Sequence, residues 1–330
     1  MLVGCPDGRK QFWSASVPRP VPECRIARRV TAAAVAAAIA ATVSACTTLP
    51  RDAATATLAG APVVTLPDTR RLDLRSSADG RVYRVFVALP EGPPPPGGYP
   101  VLYVLDGNAL FPVAALMARA QARRSASTGI RPGIVVGIGY PTDEPYDEQA
   151  RAFDYTPPAP GLSPEFGGGD AFLDFIERDL QPFIAREFPV DARRRTLFGH
   201  SFGGLLALHA LFTRPGLFAD YVAASPSIWW NDGFILKERE AFAARSTPRA
   251  RVLVTVGSRE QAPPTGASAE RAALLRQRGQ VDAARSLGLD LERLRPAGLQ
   301  AGFREFEGEN HGSAALPALQ RAIEYALGQP

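Results

Sequence analysis

A serine lies at the centre of residues 199–203, which read Gly-His-Ser-Phe-Gly and match the pattern G-x-S-x-G. This pattern is typical of a nucleophile at a sharp turn between a strand and a helix. A short apolar run at residues 196–198 precedes the motif, and a helical stretch at 203–212 follows it. The flanking glycines let the backbone turn tightly and expose the hydroxyl at the carboxyl end of the strand. We predict that Ser201 is a nucleophile and that the Phe202 N–H, at the helix start, binds an oxyanion.

A serine hydroxyl needs an adjacent general base, most often a histidine, and this chain has three. The side chain of His200 is expected to leave the turn in a different direction from that of Ser201. His209 follows along the helix at a distance of about 12 Å, which is too far, so we interpret it as a core histidine with satisfied hydrogen bonds. His311 remains as the predicted base. It lies in a loop after the last predicted strand, and the order serine then histidine is that of α/β-hydrolases.

The orienting carboxylate is expected between the serine and the histidine in the chain. Glu260 follows the predicted strand at residues 252–256 and is our first candidate. Asp232 and Asp290 are the alternatives, and a serine–histidine pair without a placed acid is a third possibility. If Glu260 is not the acid, it is a solvated surface charge beside Arg259.

The cysteines and the charge distribution exclude several other kinds of chemistry. All three cysteines, Cys5, Cys24 and Cys46, precede residue 47, so the rest of the chain has no thiol for a disulfide, a metal site or a nucleophile. No metal cluster and no phosphate-binding loop is visible, and we predict no cofactor. The formal net charge of +4 is carried entirely by residues 1–45, with six basic and two acidic groups. We therefore predict no nucleic-acid partner.

Strands that alternate with helices predict the fold class. A turn at residues 78–80 separates two alternating runs and indicates an opening β-hairpin. Apolar runs at 101–105, 133–138, 196–198, 221–224 and 252–256 are interleaved with helical stretches at 109–123, 170–187 and 203–212. Residues 268–294 predict a helix broken at Gly279 and Gly288, followed by a strand at 303–306 and a helix at 315–327. The expected architecture is an α/β fold with a mainly parallel, doubly wound sheet and helices on both faces.

The N-terminal region predicts export. Three arginines precede an uncharged, Ala-rich run at residues 30–45, which is short for a membrane span and typical of a signal peptide. The run ends in Val-Ser-Ala before Cys46, which is similar to a bacterial lipobox whose cysteine is acylated; an ordinary signal peptide with an incidental cysteine is the alternative. We predict a leader at 1–45, with 1–24 an upstream extension, a tether at 46–66 and one domain at 67–330. The protein is then expected on the periplasmic side of a bacterial membrane, held by a lipid anchor.

Several spaced stretches resemble one family. They are VLDGN at 104–108, RAFDYTP at 151–157, GHSFGG at 199–204, SPSIWW at 225–230 and GENHGS at 308–313. Together they resemble the putative-esterase α/β-hydrolases that include the periplasmic siderophore (enterobactin and salmochelin) trilactone esterases. The resemblance covers residues 82–327. It implies the α/β-hydrolase fold, ester hydrolysis, and a second oxyanion donor in the backbone N–H of Gly107 or Asn108.

Two features within this resemblance favour an iron-siderophore as the small-molecule ester, although the broad family also includes feruloyl and acetyl esterases and mycolyl transferases. Arg151 is expected on a loop at the mouth of the sheet, where it meets an anionic iron–catecholate or an ester carbonyl, or else pairs with Asp154. Trp229 and Trp230 follow the strand at 221–224 and are expected to form an aromatic wall, with one ring in the core and the other exposed.

The leading hypothesis is therefore a serine esterase that acts through an acyl-enzyme. A non-catalytic ligand-binding lipoprotein with the same fold is one alternative. An acyltransferase, in which another alcohol replaces water, is the other.

Overall fold

The computed structural model describes residues 58–245, 249–295 and 298–329. The chain separates into two units, Met1–Val63 and Val64–Pro330. In the first unit the described residues include a short 3-10 helix at Leu58–Gly60, whereas the predicted leader and Cys46 lie outside the described residues. Among the described residues no helix is long and apolar enough to cross a membrane.

The second unit is built on one eight-stranded sheet with the order β1-β2-β4-β3-β5-β6-β7-β8. Its strands are β1 Thr69–Arg75, β2 Val82–Ala88, β3 Tyr99–Val104, β4 Ile134–Gly139, β5 Val190–His200, β6 Asp220–Ala224, β7 Ala250–Gly257 and β8 Leu299–Phe306. The first two strands form the predicted antiparallel hairpin, and β2 also runs antiparallel to β4. From β4 to β8 all neighbours are parallel, which confirms the predicted α/β class.

Helices cover both faces of this sheet. They are α1 Gly107–Ala122, α2 Ser125–Thr128, α3 Glu148–Asp154, α4 Gly169–Phe175, α5 Gln181–Glu187, α6 Phe202–Thr213, α7 Phe234–Ala243, α8 Ala269–Arg278, α9 Gln280–Glu292 and α10 Ala315–Leu327. A π-helical turn at Ile176–Leu180 joins α4 to α5, and a 3-10 turn at Trp230–Gly233 precedes α7.

Alternation along the strands divides the core into two layers. Leu102 and Val104 of β3 belong to the layer that α1 and α10 cover, whereas Val101 and Tyr103 belong to the layer that contains α6. Successive side chains of a strand point to opposite faces, so a strand that is apolar throughout is buried on both sides. All six residues of β3 are buried, as this arrangement requires.

Two sequence expectations about helices are wrong. Gly288 does not break a helix but lies inside α9, where a Cβ atom would approach the Cβ of Phe303 to 2.7 Å. The glycine is needed there for close packing of the helix on β8. Residues 148–154 form α3 instead of a loop; Asp147 caps the helix by accepting a hydrogen bond from the Ala150 N–H.

Candidate active site

The turn around Ser201 has the geometry that its sequence predicts. Ser201 joins β5 to α6 with φ 61° and ψ −118°, a strained conformation for a residue with a side chain. A Cβ atom at Gly199 would collide with the backbone of Gly203, and one at Gly204 would lie 2.7 Å from the carbonyl oxygen of Ala224. The turn is held because the Ser201 N–H donates to that same carbonyl at 2.9 Å. Glycine is therefore required on both sides of Ser201.

His311 lies between Ser201 and Glu260. Its Nε2 is 3.0 Å from the Ser201 hydroxyl oxygen, and its Nδ1 is 2.6 Å from Oε2 of Glu260. A carboxylate can only accept, so Nδ1 carries the proton and Nε2 is left to accept the hydroxyl proton of Ser201. The three side chains form one hydrogen-bonded chain, which is the arrangement that a general base needs.

Glu260 is a buried carboxylate with a full set of donors. Its side chain is 0% exposed, and Oε1 accepts from the Ser225 hydroxyl at 2.5 Å and from the Gly257 N–H at 2.6 Å. Burial opposes ionisation, but the hydrogen bonds from His311, Ser225 and Gly257 outweigh it and lower the pKa of Glu260. The carboxyl group is therefore ionised at neutral pH.

The other acid candidates lie elsewhere. Asp290 pairs with Arg239 and Arg293, each at 2.7 Å, and Asp232 is an exposed residue of the 3-10 turn before α7. The structure thus brings Glu260 to His311 and leaves the two alternatives apart from it.

His200 contacts both the backbone and the ring of His311, which the sequence did not indicate. Its Nε2 donates to the backbone carbonyl of His311 at 2.8 Å, and the two imidazole rings are 4.7 Å apart. Burial, together with the nearby His311, lowers the pKa of His200 to about 3. His200 is therefore neutral at neutral pH and fixes the backbone of the His311 loop without adding a charge.

His209 does not take part in the hydrogen bonds that join Ser201, His311 and Glu260. It is buried, with Nδ1 2.8 Å from Glu238 and Nε2 3.3 Å from Asp170. The prediction of a core histidine with satisfied hydrogen bonds is confirmed.

The predicted oxyanion donors lie at two helix starts on neighbouring strands. Phe202 begins α6 after β5, and Gly107 and Asn108 begin α1 after β3, which pairs in parallel with β5. The first N–H groups of a helix have no acceptor inside it and point towards a ligand or solvent. The Asn108 side chain is already committed, because it donates to the carbonyl groups of Tyr140 and Thr142. Backbone N–H groups are thus the donors available here, and their role in oxyanion binding stays a prediction.

Arg151 neither lies on a loop nor pairs with Asp154, so both of these expectations are wrong. Arg151 lies on α3, is buried, and makes a bidentate pair with Asp106, at 2.9 Å from Nε and 3.0 Å from Nη2. Asp154 pairs instead with Arg81 at 2.6 Å. Because Asp106 precedes Gly107 in a left-handed conformation with φ 53°, Arg151 holds the turn that starts α1. Arg151 is therefore a positioning residue in this structure, and its contact with a substrate stays a prediction.

One tryptophan of the pair lies in the core, as predicted, whereas the other is half-buried instead of exposed. Trp230 is buried and packs edge-on against Phe166, with ring centroids 6.0 Å apart. Trp229 is half-buried and lies 6.2 Å from the Phe202 ring. Trp229 therefore forms part of the wall beside the predicted nucleophile.

A cavity of about 110 Å³ opens at Ser201. It is lined by Ser201, Ser227, Trp229, Glu260, Arg271, Leu275, Arg278, Gln280 and His311. Arg271, Leu275 and Arg278 come from α8, whose position over the site the sequence did not indicate. Within the described ranges no group of three or more His, Cys, Asp or Glu side chains is placed to hold a metal ion.

Comparison with known proteins identifies the family. The sequence model of a family described as "Putative esterase" matches residues 76–295. The chain belongs to this esterase family. The ferri-bacillibactin esterase BesA of Bacillus subtilis is 38% identical over 276 residues, which cover 80% of this chain and 91% of that protein. A siderophore enterobactin esterase of Emericella nidulans is 38% identical over 248 residues, covering 68% of this chain and 80% of that protein.

A solved structure supports the same fold. The BES protein of Bacillus cereus superposes with a TM-score of 0.73 at 33% identity, covering 84% of this chain and 100% of that one. The resemblance inferred from the spaced motifs is thus confirmed at the level of family and fold.

Because His311 donates a hydrogen bond to Glu260, we expect the isosteric substitution of this carboxylate to lower kcat strongly. Glu260→Gln keeps the shape but removes the charge that stabilises the imidazolium in the transition state, so kcat is expected to fall by about 10²–10⁴-fold. Steady-state kinetics on p-nitrophenyl butyrate measure this, and circular dichroism controls for folding. Asp290→Asn, which removes a carboxylate remote from His311, is the matched control. Equal, small losses in both variants would show that Glu260 is not the orienting acid.

Proposed function

We propose that this esterase is a serine hydrolase that cleaves a siderophore trilactone or a similar ester through an acyl-enzyme. The observation that carries the proposal is the continuous hydrogen-bonded chain from Ser201 through His311 to the buried carboxylate of Glu260. These three hydrogen-bonded residues provide a nucleophile, a general base and an orienting carboxylate, which are the groups that ester hydrolysis by a serine requires.

The first half of the reaction acylates the serine. The Ser201 oxygen attacks the ester carbonyl carbon while His311 Nε2 takes the hydroxyl proton, and Glu260 stabilises the resulting imidazolium. Negative charge on the carbonyl oxygen meets the N–H groups of Phe202 and of Gly107 or Asn108. When the tetrahedral intermediate collapses, the ester C–O bond breaks and the leaving alkoxide receives the proton from His311.

The second half releases the acid. Water attacks the acyl carbon, His311 takes its proton, and the Ser201–acyl bond breaks as the proton returns to the serine oxygen. The two half-reactions therefore use the same proton transfers, because His311 serves first as the general base and then as the general acid in each.

The substrate proposal is supported by the relatives. A ferri-bacillibactin esterase and a siderophore enterobactin esterase are similar to this chain over 91% and 80% of their own length. The Trp229 ring beside Ser201 provides an aromatic wall for a catechol-bearing ester.

Single and double variants test the serine mechanism. Ser201→Ala and His311→Ala are each expected to lower ester hydrolysis by several orders of magnitude, and the double variant by no more than either one, because the pair acts as a unit. The assay uses p-nitrophenyl esters of increasing acyl length beside a catecholate trilactone, and His209→Ala is the control. Additive losses would mean that one of the two residues is misassigned.

The same assay separates the alternative functions. A wild-type protein that binds the trilactone but turns over none of the esters would be a ligand-binding lipoprotein. Transfer of the acyl group to an added alcohol in preference to water, seen by mass spectrometry of the products, would show an acyltransferase.

We further propose that the protein is anchored to a bacterial membrane on the periplasmic side through an acylated Cys46. The support is the sequence that precedes it, an uncharged run that ends in Val-Ser-Ala. Cys46→Ser is expected to shift the protein from the membrane pellet to the soluble fraction or to block maturation. Membrane partitioning equal to that of the parent chain would contradict the anchor.

A further inference from the structure

Helix α8 presents a basic face to the catalytic cavity. Arg271, Leu275 and Arg278 are spaced by four and then three residues, which places them on one side of the helix, and all three line the cavity that opens at Ser201. Every residue of α8 keeps part of its surface accessible to solvent. The helix therefore offers these side chains to the cavity and its rim instead of committing them to the core.

Arg278 is held in a fixed position without an acidic partner. Its guanidinium carbon lies 3.8 Å from the centroid of the Trp229 ring, a close cation–π contact. Its Nε is buried and has no hydrogen-bond partner, a costly state for a donor. Burial, with a contribution from Arg271, lowers the pKa of Arg278.

Within the described part of the chain, neither of these two cavity arginines has a counter-charge. Arg151 is neutralised by Asp106 and Arg285 by Glu305, whereas over the described ranges neither Arg271 nor Arg278 makes an ion pair with a carboxylate. Two guanidinium groups that share a cavity repel each other, and the buried Nε of Arg278 has no hydrogen-bond partner among the described residues. A bound anion would relieve both costs.

We propose that Arg271 and Arg278 form an anion subsite beside Ser201, which selects esters that carry negative charge on the part of the substrate that lies against α8. The inference rests on the proposed hydrolysis of a siderophore ester and narrows it to anionic substrates such as an iron(III) tris-catecholate trilactone, as opposed to a neutral iron(III) tris-hydroxamate triester. The subsite assigns recognition of the catecholate to the arginines of α8, whereas the sequence analysis assigned it to Arg151.

The size of the cavity supports a subsite at its rim. A volume of about 110 Å³ is small beside the roughly 300–1,000 Å³ of typical ligand pockets. The cavity accommodates the reacting ester group, so the remainder of a larger substrate lies against Trp229 and the basic face of α8. The Trp229 ring, 3.8 Å from the guanidinium carbon, fixes the position of the Arg278 head group, and a guanidinium can bind paired oxygens in a bidentate manner.

Charge-specific kinetics test the subsite. The measured quantity is the ratio of kcat/KM for the iron(III) catecholate trilactone to kcat/KM for the neutral hydroxamate triester. Arg278→Gln and Arg271→Gln are each expected to lower this ratio by about 10-fold or more, because a charge-assisted hydrogen bond is lost. The loss should be larger in the double variant and should shrink in Arg278→Lys, which keeps the charge but not the planar fork.

Arg276→Gln is the matched control. Arg276 is an exposed arginine of the same helix that does not line the cavity, and its removal changes the net charge equally. The subsite is contradicted if Arg276→Gln alters the ratio as much as Arg278→Gln does, or if the ratio does not change in either cavity variant.

A second pair of esters keeps the subsite separate from the proposed substrate. If the wild-type protein hydrolyses neither siderophore triester, the substrate proposal fails, and the anion subsite is judged on p-nitrophenyl hemisuccinate against the neutral p-nitrophenyl butyrate. A lower hemisuccinate-to-butyrate ratio in Arg278→Gln than in Arg276→Gln supports the subsite. Equal ratios overturn it.

Discussion

The buried carboxylate of Glu260 is the constraint on which the site depends. A charge that is withdrawn from water is stable only when its oxygens are hydrogen-bonded, and here the donors are His311, Ser225 and the Gly257 N–H. Each donor comes from a different segment: the loop after β8, the end of β6 and the end of β7. The same hydrogen bonds that keep Glu260 ionised therefore hold three strand ends in register and fix the ring of His311 towards Ser201.

A parallel sheet makes this convergence possible. The strands from β4 to β8 run in one direction, so their carboxyl ends share one edge, where open α/β sheets bind ligands. β3 supplies the start of α1, β5 supplies Ser201, and β6 and β7 supply Ser225 and Glu260. Tight turns are needed at this edge, and the structure places non-glycine residues there at positive φ: Asp106 at 53°, Ser201 at 61° and Ser225 at 44°. Backbone strain at these positions is balanced by hydrogen bonds such as those to Glu260 and between Arg151 and Asp106.

The features that could be predicted from the sequence are those encoded locally or by chain order. Ser201 lies in a short motif with its own glycines, His311 follows by elimination among three histidines, and α10 has the predicted bounds because its apolar residues repeat with a helical period. The partner of Arg151 could not be predicted in this way, because Asp106 lies 45 residues earlier in the chain. The contact of His200 with the His311 carbonyl and the position of α8 at the catalytic cavity could not be predicted for the same reason, because both depend on how distant segments pack.

The most direct test of the account is covalent capture of the nucleophile. The protein is incubated with a p-nitrophenyl phosphonate, an acyl-transfer mimic that reacts with an activated serine, and the modified peptide is identified by mass spectrometry. One adduct is expected, on Ser201, and it should form much more slowly in His311→Ala because the hydroxyl has then lost its base. An adduct on another residue, or labelling of Ser201 at the same rate in His311→Ala, would contradict this mechanism.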